Sequence, residues 1–545
     1  MVSVGIELLA MSSLMPLSSL ITGGKPEDSF IAKIISQTGL NVEPFTLLIT
    51  FVALFTLRIL TQILLNGLNI YYSRELLGRL SSDALKTILS NYSLTEIESK
   101  SMGHYNSLAG DEANRSSQIL LNLLTLSGTL TLSLFYALAI YVYSVKTFIA
   151  IIIFFTLCLL LLWGCFVKSY RLGQLHIEES KRTNSIFIDA MSNIRMIRSF
   201  KSESYVSEQY YTIISKYMNT LFKVDFLNIV SKLFPVFILL SLSCFYFIAK
   251  SEAIKQGVNI AFFITIIFYL LRFLPAVGMC LTSLLRIISD AKAGKDIVSV
   301  VERVGEKDKR ILRLEKSIET IRIENVSFSY DQKKSVLDEF SYYFEAGKIY
   351  ALVGPSGVGK STLANLLLGF YELDKGSIFL NDVPISEISR DSLRGKILLL
   401  GQKAVAFNDT IHKNITFGSD MEAEDLWECL EKVDLKETIK NLPRGLETEL
   451  QYQGTNLSGG QLQRIGIARA LLRNPDVVLF DESFSGLDSV TKMKILNNIK
   501  KFGENKILIF ITHDQQIMSF VDKIIDLEKP HKSKEICEEI HETTR

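Results

Sequence analysis

Cysteine is scarce in this chain of 545 residues, and the positive and negative charges of the chain nearly cancel. The six cysteines form no Cys-x-x-Cys pair and mostly lie in or beside apolar segments: Cys158, Cys165, Cys244, Cys280, Cys429 and Cys537. Small buried apolar side chains explain them, so neither a disulfide framework nor a zinc site is indicated. The net charge is only +1, so no field over the whole molecule would attract nucleic acid. The start of the chain lacks the basic residues of a secretory signal, and we interpret it as a retained membrane helix.

Long apolar runs are abundant, but only in the first half of the chain, up to about Met279. A membrane span needs about 20 mostly apolar residues. We predict six spans, at Val2–Ile21, Phe45–Tyr71, Gln118–Val142, Thr147–Phe166, Phe226–Ile248 and Asn259–Met279. After roughly Lys307 the composition becomes that of a soluble α/β domain.

Lysine and arginine concentrate in the two long segments that follow spans two and four. Because positive charge favours the cytoplasmic side, we expect both segments and the C-terminal half to be cytoplasmic. We therefore expect a multi-pass membrane protein whose long segments continue the membrane helices as stalks.

Three cations fall inside or at the edges of predicted spans: Arg58, Lys232 and Arg272. Charge at membrane depth usually faces a cavity or a partner. Glu7 in span one could pair with one of them, and Lys232 could extend to the membrane surface. Three cations against one acid otherwise favour a cavity for an anionic substrate.

A phosphate-binding loop is predicted at residues 354–361, GPSGVGKS, which fits Gly-x-x-x-x-Gly-Lys-Ser between a strand and a helix. Backbone amides and the helix N-terminus would hold the phosphates of ATP, Lys360 would contact the β- and γ-phosphates, and Ser361 would bind Mg²⁺. The candidate ATP residues here are Gly354, Pro355, Ser356, Gly357, Val358, Gly359, Lys360, Ser361 and Thr362.

A second apolar strand, Asp476–Phe480, ends in two acidic residues, Asp481 and Glu482. A parallel strand would deliver both carboxylates to its C-terminal end. We expect Asp481 to hold Mg²⁺ through water and Glu482 to act as general base on the attacking water.

Between these motifs stands Leu457-Ser458-Gly459-Gly460-Gln461, which runs directly into a predicted helix and forms another anion cradle. One nucleotide does not need two cradles. In this pentapeptide the sequence resembles the ATP-binding cassette (ABC) transporters, and the likeness covers nearly the whole chain. The resemblance implies that Ser458, Gly459, Gly460 and Gln461 contact the nucleotide held by a second subunit.

The same resemblance implies further roles by position. Tyr330 corresponds to the residue that stacks on adenine, Gln402 to the glutamine that contacts Mg²⁺, and His513 to the histidine at the γ-phosphate. Residues 485–488 correspond to a loop at the dimer interface, with Gly486 where alanine is usual and Asp488 facing the partner's nucleotide. The implied catalytic set is Glu482, His513, Gln402 and Lys360, and the implied Mg²⁺ ligands are Ser361, Gln402 and Asp481.

The implied architecture is of the exporter type. An all-α transmembrane domain with six helices and cytoplasmic stalks spans residues 1–300, a linker spans 301–317, an α/β P-loop cassette spans 318–530, and a charged tail spans 531–545. Short coupling helices are expected near Ser93–Met102 and Glu203–Thr212. The chain departs from the family pattern at Tyr452, where an acidic residue is usual. We also expect span one to start at the beginning of this sequence, where the family usually has a basic helix; either Met1 is an internal start or that helix is absent.

Among exporters, the chain is most similar to bacterial flippases of lipid-linked oligosaccharides. The likeness rests on residues 7–18 (ELLAMSSLMPLS), an outer helix after span one, Arg58, Arg272 with Pro275, and the run from Phe407 to Gly418. It implies a diphosphate-linked substrate that Arg58, Arg272 and Lys232 would contact, since arginine forks bind phosphate well.

The alternative is an exporter of peptides or hydrophobic drugs, with which the span-six aromatics Phe262, Phe263, Phe268 and Tyr269 are compatible. A cassette-gated channel or regulator is less favoured, because Glu482 and His513 are both present. One chain carries one phosphate loop and one signature, so the working unit needs two chains. A homodimer in contact with membrane lipids is the simplest expectation, and a heterodimer stays open.

Overall fold

The computed structural model describes Gly5, Ile6, Leu9 and residues 44–143, 145–249, 260–305, 310, 312–330, 335–419, 421–451 and 454–529. The rest of the first predicted span, with Glu7 and the outer helix after it, lies outside these residues, as do Tyr452 and the tail 531–545. The chain divides into two units, one of Met1–Tyr92 with Glu96–Glu306 and one of Ser93–Thr95 with Lys307–Arg545.

The N-terminal unit is helical. Its helices are α1 (Pro44–Asn91), α3 (Met102–Ser107), α4 (Ala113–Tyr143), α5 (Val145–Ser192), α6 (Ile194–Ser199), α7 (Glu203–Ala249) and α8 (Ile260–Val301). The short helix α2 (Leu94–Glu98) begins in Ser93–Thr95, which is grouped with the other unit, and ends in this one. A π-turn, Leu108–Glu112, joins α3 to α4, and a 3₁₀ turn, Glu302–Gly305, follows α8. The five spans predicted from Phe45 onward fall on α1, α4, α5, α7 and α8, except for Asn259, which lies outside the described residues. The helices extend beyond the predicted spans.

Membrane-spanning character is strongest in three stretches of this unit. Among the described residues, Phe45–Asn91, Met102–Leu138 and Phe273–Val301 are long and apolar enough to cross a bilayer. Their exposed surface is rich in large apolar side chains, such as Leu64 and Leu134. In water such a surface would be costly, whereas lipid accommodates it.

The helices of this unit pack around Tyr136, which is fully buried. Leu162, Phe273, Val277 and Leu281 share its cluster, with Phe55, Phe166 and Phe234 at the margin. The cluster therefore joins α1, α4, α5, α7 and α8. Gly278 permits the close approach of α7 and α8, because a Cβ there would stand 2.5 Å from the carbonyl oxygen of Lys232.

The structure agrees with one of the two positions predicted for coupling helices. A short helix, α2, lies within the first predicted segment, Ser93–Met102. The second prediction is wrong, because Glu203–Thr212 forms the first turns of the long helix α7. The short helix here is α6, and the chain leaves it through Lys201 in the left-handed conformation, φ 54°. Because this turn at Lys201 precedes Glu203, the short helix α6 ends before the predicted segment begins.

The C-terminal unit contains two sheets. An antiparallel sheet has the order β2-β1-β4-β5, from β1 (Thr320–Phe328), β2 (Leu337–Glu345), β4 (Lys375–Leu380) and β5 (Val383–Pro384). A parallel sheet has the order β6-β7-β8-β3-β9, from β3 (Ile349–Val353), β6 (Ile397–Leu400), β7 (Val477–Asp481), β8 (Ile507–Ile511) and β9 (Lys523–Asp526).

Helices cover the parallel sheet, whose strands are apolar runs as expected for strands buried on both faces. They are α9 (Lys360–Leu367), α10 (Arg390–Lys396), α11 (Ile411–Thr416), α12 (Ala423–Lys432), α13 (Lys436–Lys440), α14 (Gly459–Arg473), α15 (Ser489–Phe502) and α16 (Gln515–Met518). A 3₁₀ turn, Gly445–Glu447, precedes the signature segment.

The strand order determines which loops meet. Strands β6, β7, β8 and β3 are consecutive neighbours and all run parallel. Their C-terminal ends therefore lie in a row along one edge of the sheet, which is where α/β proteins of this type bind ligands.

Candidate functional site

Four of the predicted residues follow these neighbouring strand ends. Gln402 comes after β6, Glu482 after β7 and His513 after β8, while Lys360 lies beyond the loop that follows β3. Parallel pairing aligns residues 397–400 of β6 with 477–480 of β7, and residues 349–352 of β3 with 508–511 of β8. The sheet thus places four residues that are far apart in sequence at one edge.

The phosphate loop has the backbone that its glycines predict. Gly354, Gly357 and Gly359 all have positive φ, and Gly359 is the N-cap of α9. At Gly359 a Cβ would stand 2.8 Å from Leu337 Cδ2, so a larger residue would clash as well as strain the backbone. Lys360 is buried and its Nζ donates to the carbonyl oxygens of Gly354 at 2.6 Å and Pro355 at 3.0 Å. The amine thus lies across the loop where an anion would be held.

The two acidic residues are bonded to the groups expected to work with them. Ser361 Oγ donates to Asp481 Oδ2 at 3.0 Å, and Gln402 Nε2 donates to Glu482 Oε2 at 2.6 Å. Burial raises the pKa of the Asp481 carboxyl, and the hydrogen bond from Ser361 acts against that rise. Glu482 has φ 49°, a left-handed conformation that is uncommon for a residue with a side chain and is frequent at functional sites.

His513 and Tyr330 lie at the margins of the phosphate loop. His513 is exposed, and its Nε2 is 3.4 Å from Lys360 Nζ. The Tyr330 hydroxyl is 3.0 Å from Thr362 Oγ1, and the ring packs edge-on against Tyr371. With 53% of its surface exposed, Tyr330 keeps an open ring surface on which a flat base could stack.

The signature segment is built as a helix start. Ser458 is the N-cap of α14 and accepts from Gln461 N, while Gln461 Oε1 accepts from Ser458 N, which completes a capping box. Among the hydrogen bonds between described residues, none joins this segment to the phosphate loop of the same chain. Asp488 is exposed at the N-cap of α15, where the backbone N–H of Thr491 lowers the pKa of its carboxyl.

Gln463 is a residue that the motifs did not identify. It lies one turn into α14, and its side-chain amide contacts the loop that follows Glu482. The Gln-Leu-Gln sequence after the glycines was visible, but only the contact across the fold shows what the second glutamine holds.

The predicted substrate cations are only partly described. Arg58 is half-buried on α1, with its guanidinium 5.4 Å from the centre of the Phe55 ring. Lys232 is exposed on α7. Arg272 belongs to α8, and its side chain lies outside the described residues, as do those of Phe262, Phe263, Phe268 and Tyr269. Phe55, Phe234 and Phe273, which are near these three positions in sequence, meet in the Tyr136 cluster.

A buried polar cluster in the helical unit was also missed. Lys181 Nζ lies 2.9 Å from Glu112 Oε1, which is nearly inaccessible, and 3.7 Å from Asp296 Oδ2. One turn away, Arg115 bonds His176, whose Nε2 lies 3.1 Å from the Tyr217 hydroxyl. Burial and the charge of Arg115 lower the pKa of His176 to about 3. The members come from the π-turn and four helices, so no local pattern reveals them.

Comparison with known proteins agrees with this geometry. The family model described as ABC transporter transmembrane region matches residues 8–277, and the model described as ABC transporter matches residues 337–485. The chain is an ABC exporter half-transporter. Its cassette is an ATP-binding ATPase domain coupled to transport, and the helical part makes it a multi-pass integral membrane protein.

Individual relatives of this half-transporter support the assignment. A putative export ATP-binding/permease protein of Rickettsia typhi is 27% identical over 97% of this chain and 90% of that protein. An ATP-dependent lipid A-core flippase of Photorhabdus laumondii is 38% identical, over 44% of this chain and 42% of the flippase. The chain thus matches less than half of that flippase's length.

A solved structure has the same fold. The structure of a bacterial Atm1-family ABC exporter with ATP bound aligns with a TM-score of 0.78 and 22% identity, over 97% of this chain and 93% of that one. The predicted architecture, a helical transmembrane domain followed by an α/β cassette, is therefore confirmed. Half-transporters of this family bind ATP and function as dimers.

Proposed function

We propose that this half-transporter works as a homodimer in the bacterial inner membrane, with its cassettes in the cytoplasm, and flips an anionic amphiphile, a diphosphate-linked lipid oligosaccharide. The observation that carries the substrate proposal is Arg58. It lies half-buried in an apolar helix, beside Phe55 and the Tyr136 cluster. Its guanidinium offers positive charge and a fork of N–H donors, which suits recognition of an anionic substrate head group.

ATP hydrolysis follows from the row of strand ends. The backbone of residues 354–361 and the amine of Lys360 hold the β- and γ-phosphates, and Tyr330 stacks on adenine. Glu482 accepts a proton from the attacking water. Gln402 donates a hydrogen bond to the Glu482 carboxylate at 2.6 Å and so fixes the orientation of that carboxylate. His513, next to Lys360, contacts the γ-phosphate. Ser458, Gly459, Gly460, Gln461 and Asp488 complete the site of the other chain.

The residues around Asp481 suit Mg²⁺. Mg²⁺ prefers oxygen ligands and is commonly held by one or two protein groups together with the phosphates. Ser361 Oγ and Asp481 Oδ2 already lie 3.0 Å apart. The side-chain N–H of Gln402 donates to Glu482, and its amide oxygen would supply a further oxygen ligand for the metal. When bound, the ion would neutralise charge that develops on the β- and γ-phosphates.

The substrate proposal gains support from the arrangement of the cations. Arg58, Lys232 and Arg272 belong to α1, α7 and α8, which the Tyr136 cluster joins. A guanidinium can bind two phosphate oxygens at once, whereas a lysine acts as a point charge. A diphosphate head group could therefore be recognised here while its lipid chain stays in the bilayer. The Photorhabdus relative, whose name gives lipid A-core as its cargo, agrees with a lipid-linked substrate.

The test is flipping of a fluorescent undecaprenyl-diphosphate oligosaccharide in proteoliposomes. Arg58→Gln should raise the half-saturating concentration of this lipid about tenfold, because a charge-assisted contact to phosphate is worth roughly 1.5–3 kcal/mol. Arg58→Lys should fall between wild type and Arg58→Gln. The combined Arg58→Gln and Arg272→Gln variant should lose flipping while its basal ATPase rate stays within about twofold.

Lys223→Gln is the matched control, because Lys223 is an exposed cation on the same helix as Lys232. It should leave the half-saturating concentration unchanged. Intact flipping in the double arginine variant would overturn the proposal. Stimulation of the ATPase by hydrophobic peptides or drugs, and not by the diphosphate lipid, would establish the alternative exporter function.

A further inference from the structure

The side chain of Gln463, on α14, is hydrogen-bonded to the loop that follows Glu482. Gln463 Oε1 accepts a hydrogen bond from the backbone N–H of Gly486 at 2.9 Å, and Gln463 Nε2 donates to Ser485 Oγ at 3.3 Å. Both loop residues are exposed, and within the loop Ser485 N donates to the carbonyl oxygen of Glu482 at 3.2 Å. The amide of Gln463 is therefore two hydrogen bonds away from the backbone of Glu482.

Gly486 makes room for this amide. A Cβ at Gly486 would stand 2.7 Å from Gln463 Oε1 and 3.3 Å from Gln463 Cδ. Both distances are closer than ordinary van der Waals contact. The alanine that is usual at this position in the resembling exporters would therefore displace the amide of Gln463 from its present place. The space that the methyl group of alanine would fill at position 486 is thus occupied here by the amide of Gln463.

A third contact joins the same two segments. A Cβ at Gly460 would stand 2.9 Å from the carbonyl oxygen of Gly486, so the first turn of α14 packs directly on the loop. Gly460 is part of the anion cradle, and Gln463 lies one turn later on the same helix. The cradle and the loop after Glu482 thus touch at Gly460 and are bonded through Gln463.

We infer that Gln463 is a positioning residue for ATP hydrolysis, which clamps the Ser485–Gly486 loop to the signature helix and so orients Glu482. The inference rests on the proposed role of Glu482 as general base. The cradle serves one nucleotide and Glu482 serves another when two chains combine. Gln463 therefore connects the signature cradle to the loop after Glu482, which are the two segments through which one chain contributes to both nucleotide sites.

The test measures ATPase kinetics of the full-length dimer in nanodiscs. Gln463→Leu keeps the side-chain volume but removes both hydrogen bonds, and should lower kcat about five- to tenfold, as expected for one or two hydrogen bonds of ordinary strength. The KM for ATP should change less than about twofold, because the phosphate loop keeps its contacts. Gln463→Glu should retain most of kcat, since its carboxylate can accept from both Gly486 N–H and Ser485 O–H.

Gly486→Ala provides a second test that does not alter the glutamine. It should lower kcat about threefold or more by displacing the amide. Gln463→Ala is also measured alone, and the Gln463→Ala/Gly486→Ala double variant should be no slower than the slower of these two single variants. Asn497→Leu, at an exposed amide on α15, is the control and should keep wild-type kcat.

The outcomes separate this inference from the proposed function. Wild-type kcat in Gln463→Leu, or losses that simply multiply in the double variant, would overturn the clamp. Loss of hydrolysis in Glu482→Gln, measured alongside, reports on the general base itself. Lipid flipping does not enter either measurement.

Discussion

The cassette and the helical unit of this half-transporter place polar side chains inside the fold in different ways. In the cassette, functional groups follow consecutive strand ends and bond each other in pairs, such as Gln402 with Glu482 and Ser361 with Asp481. In the helical unit, charges are drawn from the π-turn and from α4, α5 and α8, as in the group around Glu112 and Arg115. The cassette concentrates its chemistry at one edge, whereas the helical unit uses buried charge to hold long helices together.

The two kinds of placement predict different effects of mutation. A group of the proposed ATP site should contact a ligand, so its loss should abolish turnover and leave the fold intact. A charge of the buried group around Glu112 and Arg115 compensates another charge, so its loss should weaken the fold. Predictions that separate activity from stability therefore test the comparison.

The largest effect is expected at Glu482. Glu482→Gln removes the proposed general base while keeping a polar group beside Gln402, and should lower kcat about a thousandfold, within the range for general-base catalysis. ATP binding should persist, because the phosphate loop and Tyr330 are unchanged. ATPase turnover and binding of a fluorescent ATP analogue measure the two quantities, and substantial residual turnover would contradict the proposed role.

The next effect is expected at Lys181, whose amine lies 2.9 Å from the buried Glu112 carboxylate. Lys181→Met leaves that carboxylate without its cation and should destabilise the helical unit by roughly 3 kcal/mol. Adding Glu112→Gln should recover part of the loss. Thermal unfolding in detergent measures both variants.

Lys292 offers a matched control, since it pairs with Glu178 at 3.0 Å and Glu178 is 63% exposed. Lys292→Met should cost less than about 1 kcal/mol, as is typical of surface ion pairs. Equal losses for Lys181→Met and Lys292→Met would remove the distinction between buried and surface charge.

A smaller effect is expected from pH at His176. The pKa of His176 is lowered to about 3 in the fold, mainly by burial, so the unfolded chain binds a proton more readily below its ordinary pKa of about 6.5. Stability from this group is therefore present at neutral pH and lost progressively as pH falls from about 6.5 towards 3, by about 2 kcal/mol at pH 5. His176→Gln should reduce the difference in melting temperature between pH 7 and pH 5, and an unchanged difference would count against the buried neutral imidazole.

The sequence was most informative where chemistry is local. Three short segments carry most of it: the phosphate loop, the pair Asp481-Glu482 and the signature. The apolar runs before the first two predicted the strands that position them. Strand order then brought Gln402 and His513 beside them, which the sequence could assign only through the resemblance.

Groups that meet through packing could not be predicted in this way. Gln463 and Gly486 are adjacent only because α14 lies over the loop after β7, and Glu112 meets Lys181 only in the assembled bundle. The second coupling helix was misplaced for a related reason. The turn at Lys201, which separates α6 from α7, carries neither glycine nor proline to mark it.

We propose that a nucleotide site is complete only when two copies of this chain combine. Disulfide cross-linking between two chains tests this proposal. The native cysteines are replaced, Glu482→Gln slows hydrolysis, and differently tagged chains carry either Ser356→Cys in the phosphate loop or Ser458→Cys in the signature. Oxidation with ATP bound should yield a covalent dimer containing both tags, because a disulfide requires the two Cα atoms to lie within about 7 Å. Oxidation with ATP bound that yields no dimer containing both tags would contradict this proposal.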